Sequence, residues 1–199
     1  MSSGSVPDGA RAPWTPERLK RTIRQIPDFP RPGISFYDVS PVFAHPAAFA
    51  AAVDSLAAPF RGRGIDVVAG IEARGFVLGA AIARDLGLGF VMVRKLGKLP
   101  GATEGESYDL EYGTARIEIQ RDAFSRRERV LVVDDLLATG GTAAAAARLI
   151  ERLGGRVAAF AFMVELEFLG GRSRLDGHEV VGLVRFDDDA HPGACSSEG

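Results

Sequence analysis

Residues Arg129 to Thr142, reading RVLVVDDLLATGGT, impose more on the fold than any other stretch of the chain. Val130 to Val133 is an unbroken apolar, mostly β-branched run that leaves no polar face to turn to water. It predicts a parallel strand covered by helices on both sides, with Asp134 and Asp135 at its C-terminal end, where sheets of this kind bind ligands. Ala138, Thr139, Gly140, Gly141 and Thr142 then offer main-chain N–H groups with little side-chain bulk. They open an Ala-rich helix, whose dipole favours an anion at that end. A phosphate fits the turn, and the two carboxylates accept hydrogen bonds from vicinal hydroxyls, so the segment suits a ribose 5-phosphate. No Lys follows the glycines and G-x-G-x-x-G is absent, which excludes a Walker A loop and a dinucleotide fingerprint. A plain helix-entry turn behind a core strand is the alternative.

Strand and helix signals alternate along the rest of the chain. Thr15 as N-cap and Pro16 start a helix through about Ile26, and three prolines between Pro27 and Gly33 break it. Pro46 opens a helix that ends before Pro59; Ile65–Ile71 reads as a strand, Phe76–Leu86 as a helix closed by Gly87, and Phe90–Arg94 as a strand. Leu96 to Gly113 has four glycines, a proline and no helical or strand period, the composition of a lid. Thr114–Gln120 alternates as a half-exposed strand, Gly141–Leu153 is a helix ended by Gly154 and Gly155, and Val157–Val164 and Glu179–Val184 are the last strands. The expected fold is α/β, a mostly parallel sheet flanked by helices. It occupies one domain, 14–186, with a hood at about 27–43, a lid at about 96–113, and loose tails at 1–13 and 187–199.

Composition limits the partners. At 199 residues, 46% apolar and 25% charged, the chain suits a single α/β core. A net charge of −2 gives no global attraction to nucleic acid or anionic membrane, so any anion site must be local. The one cysteine, Cys195, rules out disulfides within the chain, and the apolar run Val157–Val164 is too short to span a bilayer, so a soluble cytoplasmic protein is expected. His45, His178 and His191 show no metal-ligand spacing, and no protein-held metal is expected.

Three further segments carry chemistry. In AGIEARGF, Ala69 to Phe76, Arg74 stands at a helix mouth, either as a pyrophosphate ligand or as an exposed helix-start residue. In VRKLGKLPGATEGESYDLEYGT, Val93 to Thr114, the cations Arg94, Lys95 and Lys98 precede Tyr108, Glu111 and Tyr112; a cationic cluster alone is also what a solvated face looks like. FPRPGISFYDVSPVF, Phe29 to Phe43, is a Pro-rich loop with aromatics for the core or for a flat ligand.

Together these motifs, in this order, resemble the type I phosphoribosyltransferases over about Pro16 to Phe186. RK-x-GKLPG followed by SYDLEYG is similar to the adenine phosphoribosyltransferases, as distinct from the orotate, hypoxanthine or uracil enzymes. The resemblance implies purine salvage: transfer of the 5-phosphoribosyl group from phosphoribosyl pyrophosphate to adenine, giving AMP and pyrophosphate, with Mg2+ accompanying the sugar substrate. It implies a homodimer in which a basic residue reaches the partner's site. It assigns Asp134, Asp135 and Ala138, Thr139, Gly140, Gly141, Thr142 to ribose and 5-phosphate, and Glu72, Ala73, Arg74, Arg94, Lys95 and Lys98 to pyrophosphate, with a non-proline cis peptide at Glu72–Ala73. Ser35, Phe36, Tyr37 and Leu166, the last from a VEL segment with Glu165, would enclose adenine; Glu111 would accept the proton from base N7, with Arg74 as the second catalytic residue and Tyr108 and Tyr112 in the lid. Tyr37 replaces an Arg of many members, which matters only if that side chain touches the base. A phosphoribosyltransferase for a 6-oxo purine is the alternative enzyme. A non-catalytic regulator that binds phosphoribosyl pyrophosphate is the alternative class, although it would carry a basic DNA-binding segment and have no use for Glu111.

Overall fold

The computed structural model of the chain describes residues 13–110 and 113–188, so Glu111, Tyr112 and most of both expected tails lie outside the described residues. Helix α1 (Pro16–Thr22) leads into β1 (Arg24–Ile26), which pairs antiparallel with β2 (Phe36–Asp38); α2 (Ser40–Ala44) and α3 (Pro46–Ala57) follow. Next come β3 (Val67–Ile71), α4 (Arg74–Leu86), β4 (Gly89–Lys95), β5 (Thr103–Leu110) and β6 (Gly113–Gln120). The chain continues through β7 (Arg129–Leu137), α5 (Gly141–Arg152), β8 (Arg156–Leu166) and β9 (Glu179–Phe186). Among the described residues seven strands form one sheet in the order β5-β6-β4-β3-β7-β8-β9. Its β4-β3-β7-β8-β9 part is parallel, and β6 and β5 are added antiparallel at one edge.

The unbroken apolar runs follow from burial of both faces. Val68, Leu131, Val133, Ala159 and Ala161 pack with Leu56 of α3 and Leu78 and Ile82 of α4. Their neighbours Val67, Ala69, Val130, Val132, Phe160 and Phe162 pack with Leu149 and Ile150 of α5 on the other side. Each buried Leu, Ile or Phe contributes about 1.5–3 kcal/mol, and both layers converge on β7, which is thereby fixed in place.

Three expectations are corrected. The first helix stops at Thr22, because Ile23 turns extended (ψ 129°) and residues 24–26 find a strand partner in the hood, held by Arg24 on the Asp38 carboxylate. Strand β7 runs on to Leu137, so Asp134 and Asp135 lie within it and not at its end. The supposedly period-free stretch is half a β-hairpin: Thr103 through Leu110 pair residue for residue with Gln120 through Gly113. Polar side chains hid this strand, because Glu104 and Glu106 of β5 pair with arginines and no apolar face marks it.

Candidate active site

Where β7 ends, Asp134, Ala138, Thr139, Gly140, Gly141 and Thr142 line a cavity of about 80 Å³ at the N-terminus of α5. Gly140 is left-handed (φ +77°), and a Cβ there would stand 2.3 Å from the Gly171 carbonyl oxygen. A Cβ on Gly171 would in turn meet the Ala138 oxygen at 2.0 Å, so the turn rests back to back on a second loop and both positions exclude a side chain. The main-chain N–H groups of this turn are thus set by packing before any anion arrives.

The two aspartates are not equivalent. Asp135 is buried, and its Oδ2 accepts a hydrogen bond from Arg74 Nε at 2.5 Å. Asp134 borders the phosphate cavity, and its Oδ1 accepts the Asp135 N–H at 2.9 Å. Burial, and then the negative charge of Asp135, push the Asp134 carboxyl well above the ordinary carboxylate range. Gly75 lets α4 come this close, since a Cβ there would lie 2.8 Å from Asp134 Oδ1. Of the two carboxylates expected at the ribose, Asp134 lines the cavity and Asp135 pairs with Arg74.

On the pyrophosphate side, the Glu72–Ala73 peptide is cis, as the resemblance implied. The Glu72 carboxylate accepts from Arg94 Nη2 at 3.1 Å and Nε at 3.2 Å and from the Lys95 N–H at 3.0 Å, contacts that hold its pKa below the ordinary value. Arg94 Nη1 also donates to the Lys98 carbonyl at 2.8 Å. Of the three cations expected at pyrophosphate, Arg94 braces Glu72 and the turn after β4, whereas Lys95 and Lys98 are exposed. Arg74 is likewise no bare helix-start residue, for its guanidinium also lies 5.1 Å from the Phe36 ring centre.

Ser35, Phe36, Tyr37 and Leu166 come together around a cavity of about 290 Å³. The sequence reading missed Ile34, Leu136, Phe168 and Leu169, which complete its apolar wall. The last two sit in ELEFLGG, and the visible signal was an apolar pair in a loop leaving the C-terminal end of a strand. Tyr37 is buried, with its ring against that of Phe186 at a centroid distance of 4.5 Å, so the side chain that stands in place of an Arg packs in the core. Glu165 is buried and gripped by Arg172 at 2.8 and 2.5 Å, a pair that ties the two ends of the Phe168–Leu169 loop together. Leu136, Ala138 and Thr139 line this cavity and the phosphate cavity alike, so the two are neighbours across one piece of backbone. Tyr108 of the hairpin borders a third space of about 380 Å³ beside Gly141 and Arg148 of α5, while Glu111 and Tyr112 lie outside the described residues.

A small cavity at a helix N-terminus adjoining a larger apolar one suits an enzyme that joins two substrates, and a family model of the phosphoribosyl transferase domain matches residues 39–185. The adenine phosphoribosyltransferase of Parvibaculum lavamentivorans is 54% identical over 171 residues, which are 85% of this chain and 98% of that one. The crystal structure of adenine phosphoribosyltransferase from Thermoanaerobacter pseudethanolicus is similar with a TM-score of 0.84 at 50% identity, covering 86% of this chain and 100% of that one. The Saccharomyces cerevisiae enzyme, complexed with an imino-altritol bisphosphate and adenine, is similar at 0.80 and 42%, covering 85% and 98%. The chain belongs to the phosphoribosyltransferase family, in the branch of the adenine enzymes.

Proposed function

We propose that the chain salvages adenine, joining it to the 5-phosphoribosyl group of phosphoribosyl pyrophosphate to give AMP and pyrophosphate. One observation carries this: Leu136, Ala138 and Thr139 wall both the base cavity and the phosphate cavity, which sets a base and a ribose 5-phosphate side by side, as AMP requires. The relatives' names support adenine over a 6-oxo purine and an enzyme over a regulator.

In the reaction, base N9 attacks ribose C1, the C1–O bond to pyrophosphate breaks, and positive charge builds on the sugar ring. The residues must hold the two substrates together, neutralise the leaving group and keep water out. Ala138 to Thr142 hold the 5-phosphate and Asp134 takes the ribose hydroxyls, with Asp135 fixing Arg74. Ala73, Arg74, Lys95 and Lys98 meet pyrophosphate, with Glu72 and Arg94 shaping that side. Phe36 and Leu166 enclose adenine while main-chain groups of Ser35 and Tyr37 read its edge. Glu111, next in sequence after β5, accepts the N7 proton, and the hairpin with Tyr108 and Tyr112 closes over the site.

Mg2+ brought in with phosphoribosyl pyrophosphate would supply positive charge against the leaving group. Mg2+ commonly uses one or two carboxylates plus substrate phosphates, and Asp134, which borders the cavity, would be the acidic side chain to face it. The working form is a cytoplasmic homodimer, as the family resemblance implies; exposed Val77, Met92 and Leu96 leave apolar surface available to a second copy.

Adenine consumption with phosphoribosyl pyrophosphate and Mg2+ tests the proposal. A hood that offers an acceptor to the 6-amino group repels a 6-oxo group, so kcat/KM for adenine should exceed that for hypoxanthine by roughly 10⁴ or more, against roughly 10–200 for a merely apolar slot. Comparable turnover of a 6-oxo purine would overturn the assignment. Glu111→Ala should lower kcat far more than it weakens sugar-phosphate binding, and full activity in that variant removes the general base.

A further inference from the structure

Glu118 has no counterpart in the roles assigned above. It lies in β6 directly opposite Arg94 of β4 and is 3% exposed. Its Oε1 accepts the N–H groups of Lys98 at 2.9 Å and Leu99 at 3.0 Å, and its Oε2 accepts the Thr103 hydroxyl at 3.2 Å. These partners are main-chain amides and a hydroxyl, not a cation. A buried carboxylate with such partners is costly unless the surrounding chain is shaped to satisfy it, and here the shaped chain is the turn that carries Lys98.

The contacts continue from there. The Lys98 carbonyl receives Arg94 Nη1, and Arg94 grips Glu72 at the cis peptide before Arg74. One carboxylate therefore fixes the turn from the hairpin side, and Arg94 fixes it from the sheet side. Burial alone raises the Glu118 pKa, but the N–H groups of Leu99, Gly97 and Lys98 and the Thr103 hydroxyl outweigh it, so the group stays ionised and accepting across the neutral range.

We propose that Glu118 is a positioning residue for the leaving group: it folds the 97–99 turn so that the Lys98 ammonium and the Arg94–Glu72 pair present themselves together to pyrophosphate. This rests on the reading of that side as the pyrophosphate site. The hydrogen-bond partners of Glu118, namely Lys98, Leu99 and Thr103, line neither the cavity at the N-terminus of α5 nor the apolar cavity, so its effect should fall on one substrate group.

The test is calorimetric binding of inorganic pyrophosphate and, separately, of ribose 5-phosphate to the full chain. Glu118→Met keeps the length and burial but removes every acceptor, and pyrophosphate affinity should fall about tenfold while ribose 5-phosphate affinity stays unchanged. KM for phosphoribosyl pyrophosphate should rise with KM for adenine unmoved. Glu118→Gln, which keeps one oxygen for the Lys98 and Leu99 amides, should recover most of the loss. If Glu118→Met does not fold, Glu118→Asp replaces it, since a carboxylate one methylene shorter falls short of those amides, and the same selective loss is required. Equal loss of both ligands, or of neither, overturns the positioning role. Lys98→Ala separates the two layers: if it leaves pyrophosphate binding intact, the pyrophosphate reading falls and this proposal with it. If it weakens binding while Glu118→Met does not, only the positioning role falls.

Discussion

The two halves of the sheet are held by different forces. In β3, β7 and β8 apolar side chains meet helices on both faces, and the strands are dry from Val67 to Ile71 and from Val130 to Val133. The antiparallel edge does have Ile117 and Ile119 of β6 in the core, but its outer strand β5 is fastened to α5 by charge. Arg148 Nε reaches Glu106 Oε1 at 2.7 Å, Arg152 Nη1 reaches Glu106 Oε2 at 2.7 Å, and Arg152 Nη2 reaches the Gly105 carbonyl at 2.8 Å. Close packing permits little play, whereas exposed ion pairs are weak singly and screened by salt. The difference separates a closely packed half, which carries the turn at the N-terminus of α5, from an edge whose outer strand is fastened by ion pairs; on the function proposed above, the 5-phosphate would sit on the first and the segment covering the substrates would hang from the second.

The sharpest way to break the comparison is to hollow the rigid half. Phe160→Ala, in the layer beneath α5, should cost about 3–5 kcal/mol of stability in denaturant titration. A loss below 1 kcal/mol would show that β8 repacks and that the parallel half is not the stiffer one.

Next in size is the pair at the end of that half. Asp134→Asn with Asp135→Asn should weaken phosphoribosyl pyrophosphate binding, at about 1.5–3 kcal/mol for the charge-assisted hydrogen bond Asp134 offers the ribose hydroxyls, with a further loss as Arg74 is freed from Asp135. Unchanged affinity by calorimetry would make the pair structural only.

The hood supplies a third comparison, with the Arg24–Asp38 ion pair across its two strands. Burial by itself raises the Asp38 pKa, but the hydroxyl and N–H of Ser40 and the Arg24 guanidinium reverse this and hold it at about 2, against 3.8 ordinarily. A carboxyl whose pKa is lower in the folded chain contributes stability that is complete above about pH 4 and vanishes as pH falls through about 2, on the order of 2 kcal/mol. Asp38→Asn should flatten the fall in Tm over that window, and an unaltered acid profile would dismiss the pair.

The smallest effect belongs to the hairpin. Glu106→Gln should change global stability by less than about 1 kcal/mol, yet speed amide exchange across residues 103–110, and high salt should do the same to the parent chain. Substrate should slow that exchange. Equal, slow exchange with and without ligand would remove the lid from the mechanism.

What the sequence made legible was local. The apolar run, the paired aspartates and the glycine turn all lie between Arg129 and Thr142, where period and turn chemistry could read them, whereas the EARGF turn was left open by its residues and assigned by the family resemblance. Strand β5 was illegible because its stabilising partner for Glu106 is Arg148, 42 residues away. Residues 24–26 continued a helical pattern that pairing with β2 overrode. The commitment of Arg74 to Asp135, across 61 residues, is a fact of tertiary structure that no helix-start rule contains.

The shared wall of Leu136, Ala138 and Thr139 bears on affinity as well as placement. A ligand whose base and phosphate are covalently joined finds its second end already confined within a few ångströms of the second cavity. That local confinement acts like millimolar or higher concentration, so neither cavity needs strong affinity of its own. Separate adenine and phosphate therefore compete poorly with a molecule that spans both, and a compound of that length gains the advantage without a single additional contact.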